Sequence, residues 1–383
     1  MAAKVIIVGP AHPLRGGGMA TFNERLAYAF QEEGDEVEIV TFSLQYPSFL
    51  FPGKSQYSNE PAPKGLSIKV LINSINPVSW WRAGNYIRKQ KPDLVIFRFW
   101  LPFMGPALGT IARVVRRNRH SRILAITDNV VPHEKRPGDL TFTKYFLSSC
   151  HGFVTMSRSV QQDLEKFEPH KPSLYLPHPL YDNFGVEESK ETACKALNLD
   201  PSIDYILFFG FIRAYKGLDL LLKAMADQRL EKQTSIKLIV AGEFYEDATP
   251  YHRLIEELGL GDRLILKADF IPNAEVRHYF CAADLVVQPY KHATQSGVTQ
   301  VAYHFNKPMV VTKVGGLAEL VPNGEVGYVV EPQPQAIAEA ILNFYTSGDK
   351  AVLIQNIKKY KKHFSWSRFV EAIKKLADQV RTL

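Results

Sequence analysis

The stretch Tyr205–Ala224, YILFFGFIRAYKGLDLLLKA, limits most sharply what this chain can fold into. Its apolar run Tyr205–Phe209 has no polar alternation, as expected of a strand buried on both faces, and such strands belong to parallel sheets. Gly210 ends the run, and Gly217 precedes the helical repeat Leu218, Leu221, Leu222, Met225. A strand that turns through glycine into a helix leaves its loop at the carboxyl edge of the sheet, where open α/β sheets bind ligands. Arg213 and Lys216 stand three apart in that loop. Two cations there suit a doubly negative group such as a diphosphate, although a solvated loop would carry them equally well.

The same scheme opens the chain. Lys4–Gly9 reads as a buried strand, PAHPLRGGGMA as a loop, 21–33 as a helix with Phe22, Leu26, Ala29 and Phe30 on one face, and Glu36–Phe42 as the next strand. Gly16, Gly17 and Gly18 would let a ligand approach the backbone at a helix amino terminus, where N–H groups and the dipole favour an anion. The spacing is not GxGxxG, and Asp35 is a poor match for a ribose-binding acid. Residues 43–66, rich in Pro, Ser, Gly and aromatics, read as a long and partly mobile loop.

Strands are then predicted at Ser67–Leu71, Leu94–Phe97, Ile123–Thr127 and Phe153–Met156, with helices near 79–90, 104–117, 140–149 and 158–167. Arg113, Arg116, Arg117, Arg119 and Arg122 crowd one helix end, read either as a solvated basic terminus or as a patch for anionic lipid headgroups. Asp128, His133 and Glu134 share the loop after the 123–127 strand, at the functional edge. Beyond a boundary near 176–190, a second series is predicted, with strands at Lys237–Ala241, Leu264–Lys267, Leu285–Gln288, Met309–Val311 and Tyr328–Val330. Its helices fall near 250–258, 274–281, 297–305 and 334–346. Ser296 is placed to cap the 297–305 helix, leaving the N–H groups of Gly297 and Val298 for a phosphate, and Gly315–Gly316 repeats the pattern. The last stretch, about 350–383, is helical and apolar on one face through Trp366, Phe369, Val370, Ile373, Leu376 and Val380, so it must pack back on the chain.

A length of 383 residues suits two domains, and 46% hydrophobic against 22% charged residues is ordinary for a globular protein. The excess of 46 Lys and Arg over 39 Asp and Glu fits an anionic ligand or membrane surface, while no nucleic-acid motif appears. Cys150, Cys194 and Cys281 are far apart, as in a reduced protein without a zinc site. The amino terminus is too short in apolar length for a signal peptide, and no run of about 18 apolar residues would span a membrane.

Over nearly its whole length the chain resembles a retaining glycosyltransferase of the GT-B fold, family 4 (glycosyl transferase group 1). The resemblance is carried by RGGGMATFNERLAYAFQEEGDEVEIVT, FFGFIRAYKGLDLLLKA, VVQPYKHATQSGVTQVAY, KPMVVTKVGGLAELVPNGEVGYVV and FSWSRF. It implies an α/β architecture of two doubly wound Rossmann-like domains facing across a cleft. These would be residues 1–180 with the helix at about 364–383 returning to them, and residues 188–363. It implies transfer of a sugar from a nucleotide diphosphate-sugar, a UDP- or GDP-sugar, to a glycan or lipid-linked acceptor in cell-surface polysaccharide or glycolipid synthesis. No cofactor or metal is implied. The implied location is the cytoplasm, with peripheral contact at the inner face of the membrane.

Carried over by position, Arg213 and Lys216 hold the diphosphate, Gly17 and Gly18 approach it, and Ser296, Gly297 and Val298 offer hydroxyl and N–H groups. Phe270 and Ile271 take the base-recognition position, and Asp128 or His133 orients the acceptor. Three departures stand out. Phe211 replaces the family's arginine after the glycine, Thr294 and Ala302 replace its two glutamates, and Asp128 replaces a histidine. The missing glutamates keep open a non-catalytic partner subunit; a nucleotide-sugar epimerase or hydrolase of the same fold is the other alternative.

Overall fold

A computed structural model of the chain describes residues 2–15, 18–47, 55–131, 137–232, 236–293 and 296–380. The chain divides into two compact units, Met1–Pro179 with Ser365–Leu383, and Leu180–Phe364.

Unit one contains β1 (Lys4–Val8), α1 (Gly18–Glu32), β2 (Glu36–Leu44), β3 (Ser67–Asn73), α2 (Pro77–Gln90), β4 (Leu94–Phe99), α3 (Gly105–Arg116), β5 (Arg122–Thr127), α4 (Asp139–Leu147), β6 (Gly152–Thr155), α5 (Arg158–Glu165) and β7 (Ser173–Tyr175). The strands form a parallel sheet in the order β3-β2-β1-β4-β5-β6-β7. Val5 stands opposite Val37 on one side and Leu94 on the other, so β1 is buried on every side as its apolar run requires. The steps β1→β2 and β4→β5→β6 run in opposite directions, and right-handed crossovers therefore put α1 on one face and α3 and α4 on the other. Helices α2, α3 and α4 pack side by side.

The carboxyl-terminal stretch is not one helix. A 3-10 turn at Lys361–Phe364 separates α13 (Lys350–Tyr360) of unit two from α14 (Trp366–Gln379) of unit one. The Ser365 hydroxyl accepts from Arg368 N and starts α14, whose apolar face closes over α1. Phe22 is the centre of that contact, with Trp366 at 5.1 Å and Phe369 at 5.9 Å between ring centroids. Asp35 precedes β2 at the amino edge, away from any carboxyl-edge ligand. It accepts from Ala3 N at 3.0 Å and pairs with Lys374 Nζ at 2.6 Å, a structural clasp.

The described part of the 43–66 segment is held down rather than loose. Gln56 exchanges hydrogen bonds with the backbone at Gln45 and Tyr46, Tyr57 bridges Leu14, and Tyr28 and Gln31 of α1 donate to Lys64 O and Gly65 O. These side-chain contacts leave no periodic signature. Residues 48–54 lie outside the described residues.

Unit two contains α6 (Lys190–Leu197), β8 (Asp204–Phe209), α7 (Leu218–Met225), α8 (Gln228–Glu231), β9 (Ile236–Ala241), α9 (Thr249–Glu257), β10 (Leu264–Lys267), α10 (Asn273–Ala282), β11 (Leu285–Gln288), α11 (Gly297–His304), β12 (Met309–Thr312), β13 (Gly327–Val330), α12 (Pro334–Thr346) and α13. Its parallel order is β10-β9-β8-β11-β12-β13. In both sheets the strand order reverses beside the first strand of the unit, between β1 and β4 and between β8 and β11. Loops leaving neighbouring strands on opposite sides of a reversal part there, and the crevice left is where doubly wound sheets bind ligands.

Candidate active site

In unit two the reversal brings together the loops after β8 and β11. Gly210 has φ +95°, a backbone conformation that favours glycine, and a Cβ there would stand 2.9 Å from Lys216 Nζ and crowd the ammonium. Lys216 ends a 3-10 turn, Ala214–Lys216, and Gly217 at φ +69° lies so close to Pro289 O that a Cβ would collide with it. The turn is thus locked against the β11 loop. Glu246 fixes its other end, accepting from Ala214 N at 2.8 Å and from the Tyr251 hydroxyl at 2.5 Å.

Lys216 is only 9% exposed. Burial first, and then the positive charge of Arg213, push its ammonium down to about 7, and no carboxylate among the described residues raises it back. Its Nζ lies 5.7 Å from the centre of the Tyr290 ring. A buried cation with a second cation beside it is costly unless an anion arrives. Arg213 is exposed at the mouth, its guanidinium 5.2 Å from the centre of the Tyr245 ring.

Ser296 does take the N-cap position of α11, yet its side chain makes no capping hydrogen bond. Its Oγ lies 3.3 Å from the Tyr290 hydroxyl instead. The first N–H groups of α11, including Gly297 and Val298, therefore keep their pull on an anion. One turn further, Gln300 is fully buried and both its amide atoms lack a hydrogen-bond partner among the described residues. Helical side chains lean toward the amino terminus, so Gln300 leans toward Ser296. The sequence reading missed Gln300 because one glutamine in an apolar helix carries no motif. Gln300→Met is expected to raise the melting temperature of the ligand-free protein by a few degrees, since it removes two unmet polar atoms. If the amide serves a ligand, differential scanning fluorimetry will show the nucleotide-induced shift shrinking in the same variant.

The residue at the family's arginine position, Phe211, builds an aromatic column. It stacks on Tyr245 at 4.1 Å and 29° and faces Phe270 at 6.5 Å and 29°. Ile271, half-buried, continues the same loop into α10. Ala302 is fully buried in α11, and Thr294 lies outside the described residues.

In unit one, Gly18 is the first residue of α1, and a Cβ there would meet nothing within 4 Å, so no packing demand explains the glycine. Gly17 and His133 lie outside the described residues. Asp128 follows β5 and was expected as an acid beside His133; the structure ties both its oxygens to Arg98 of β4, Nε to Oδ2 and Nη2 to Oδ1, each at 2.6 Å. The Arg98 guanidinium lies 4.0 Å over the Phe22 ring, and its Nη1 is buried without a hydrogen-bond partner among the described residues. His178 packs on the same ring at 5.0 Å, and burial pushes it down to about 3, with Arg98 adding to the shift, so it is neutral. Arg98 sits inside a strand, where the sequence shows only one more residue of a buried run. Glu24 is a further acid near the glycine loop. It accepts from His12 N at 2.8 Å, and burial raises it to about 6.

The profile of the glycosyl transferases group 1 matches residues 203–347, and that of glycosyltransferase family 4 matches residues 16–176. A D-inositol 3-phosphate glycosyltransferase of Thermobifida fusca is 30% identical over 344 residues, covering 82% of this chain and 77% of that one. In other relatives of that name the match is shorter, and the chain spans about a third to a half of their length, 50% in the protein of Corynebacterium urealyticum and 32% in that of Segniliparus rotundus. Among solved structures, a sucrose-phosphate synthase from Thermosynechococcus elongatus shares the fold with a TM-score of 0.75 at 18% identity, over 99% of both chains. Anabaena HepE in complex with UDP and glucose does so with a TM-score of 0.68 at 15% identity, over 99% of this chain and 100% of that one.

Proposed function

The chain belongs to the group 1, family 4 glycosyltransferases of the GT-B fold, and from that premise we propose that it moves a sugar from a nucleotide diphosphate-sugar to an acceptor hydroxyl with retention at the anomeric carbon. The observation that carries this reading is the buried Lys216 ammonium beside Arg213, with no carboxylate among the described residues to offset it, next to Gly210, which the Val298 side chain at the start of α11 also approaches. A diphosphate would satisfy both cations and the N–H groups of Gly297 and Val298 at once. The bond from the anomeric carbon to the diphosphate breaks, the bond to the acceptor oxygen forms on the same face, and the departing phosphate takes the acceptor proton. Cations and dipoles aimed at the leaving group lower that barrier without reorganising.

The Phe211 column with Phe270 and Ile271 offers a flat surface for the base, and a UDP- or GDP-sugar fits it; HepE, of the same fold, is seen with UDP. Asp128 acts through Arg98, and the acceptor is a glycan or lipid-linked glycan met at the cytoplasmic surface of an anionic membrane. A partner subunit without turnover is the second reading, favoured by the buried Ala302 where the family has an acid.

Thermal stabilisation by UDP-, GDP-, ADP- and dTDP-sugars separates the two, because a ligand of the folded state raises the melting temperature. One nucleotide class is expected to shift it by several degrees, with the shift lost in Arg213→Ala and Lys216→Ala. No shift with any nucleotide would sink the donor site, and a shift without transfer to any acceptor would favour the partner subunit.

A further inference from the structure

Unit one presents an apolar rim that its core does not use. The first two turns of α2 and the residues before them expose Ile75, Val78 and Trp81, and the first turns of α4 expose Leu140, Phe142 and Tyr145. Trp81 is 56% exposed, whereas its neighbour Trp80 packs on the core and donates to Asn73 O at 2.7 Å. Both helices start at the carboxyl edge of a parallel sheet, with α3 between them. The rim therefore shares its edge with the loop that carries Asp128.

Cations stand among the apolar residues, Arg82 next to Trp81 and Lys144 next to Tyr145. Arg82 is four residues after Val78, Lys144 is four after Leu140, and both are exposed. From Pro61 to Pro92 there are six Lys or Arg and no Asp or Glu. Of the acids facing these helices, Glu38 holds Tyr86, Gln90 and Ser67, and Asp139 is itself partnered. The arginine cluster at the end of α3 is only partly available. Arg113 is tied to Gly109 O, Ser148 Oγ and the Tyr145 ring, Arg122 lies 3.6 Å from Asp378, and Arg116, Arg117 and Arg119 remain exposed.

We propose that this rim is a docking surface for an anionic lipid bilayer, with Ile75, Val78, Trp81, Leu140 and Phe142 entering the headgroup boundary and Arg82 and Lys144 meeting lipid phosphates. Exposed large apolar residues, a tryptophan among them, with long cationic side chains beside them match the composition of such a boundary, where an arginine or lysine stem can lie along the apolar surface while its head meets a phosphate. The inference rests on the peripheral-membrane part of the function proposed above and is independent of the donor site. It replaces the α3 arginine cluster as the main contact, because Arg113 and Arg122 of that cluster already have partners within the unit.

Flotation with phosphatidylcholine vesicles, with and without about one-third phosphatidylglycerol, tests it. The wild-type chain is expected to float with the anionic vesicles only, and less so at high salt. Val78→Asp with Trp81→Asp is expected to weaken flotation about tenfold or more while leaving the nucleotide-induced thermal shift unchanged. Trp81→Phe is expected to float while losing the blue shift of tryptophan emission. Flotation untouched by the double aspartate variant would overturn the rim and leave the peripheral reading standing. No flotation of the wild type would overturn both. Self-association of the wild type, abolished in the double variant, would show instead that a second copy covers the rim.

Discussion

Lys216→Ala is expected to lower kcat/KM for transfer by about two to three orders of magnitude, the loss found when one preorganised group facing a leaving anion is removed. The ligand-free variant is expected to be no less stable than the wild type. In the ligand-free protein the ammonium is buried, has Arg213 for a neighbour and has no carboxylate among the described residues to offset it. Its proton is therefore held more weakly in the folded state, near pH 7, than in the unfolded chain, near the ordinary lysine value of 10.5. Below pH 7 both states carry the proton, and folding bears the whole penalty, on the order of a few kcal/mol. Between pH 7 and 10.5 the unfolded chain binds the extra proton, so the stability of the ligand-free protein rises with pH. Lys216→Met is expected to abolish that rise, as urea unfolding at pH 6 and pH 9 will measure. Donor binding has the opposite sense, since the diphosphate needs the ammonium. Its affinity is expected to fall as pH rises above about 7, with uptake of a proton on binding that calorimetry in buffers of different ionisation enthalpy can count. Pure stability loss with an unchanged donor affinity would assign Lys216 to the core.

Asp128→Ala is expected to destabilise unit one by about 3–5 kcal/mol, because it leaves the Arg98 guanidinium buried without its carboxylate. Arg98 and Asp128 are 3% and 7% exposed, so solvent cannot take the place of the lost partner. For a unit of this size the loss amounts to a fall of roughly 10 °C or more in its melting temperature. Replacing both residues by apolar ones of similar volume, Arg98→Met with Asp128→Leu, is expected to restore much of that stability. If transfer stays low in the restored protein, the pair positions the acceptor loop. If transfer returns with stability, its role is to hold the loop after β5 in place. Only slight destabilisation in Asp128→Ala would contradict the buried pair itself.

Much of the architecture is legible in the residues because local rules suffice for it. Unalternated runs such as Lys4–Val8 and Tyr205–Phe209 can only be central parallel strands, and the glycines after them mark the turns into helices. Arg213, Lys216 and Gly297 are legible for the same reason, since each stands within a few residues of a strand end that topology sends to one edge. The return of the last helix to unit one, expected from about residue 364, is legible in its apolar stripe and begins at Ser365, whereas the 3-10 turn Lys361–Phe364 that makes the break contains no Gly or Pro to announce it. The grip on the segment after β2 was not legible either, since it rests on single side-chain hydrogen bonds such as those of Gln56.

The sequence by itself determined two α/β units and the cations at the edge of the second, because periodicity and strand-end chemistry are local. The tertiary structure decided which polar groups are left without partners. It gave Asp128 to Arg98, turned the Ser296 hydroxyl toward Tyr290 rather than the α11 backbone, and buried Gln300 and Lys216 uncompensated. Whether a charge is satisfied depends on what distant strands bring within about 3 Å of it, and no spacing along a chain encodes that distance.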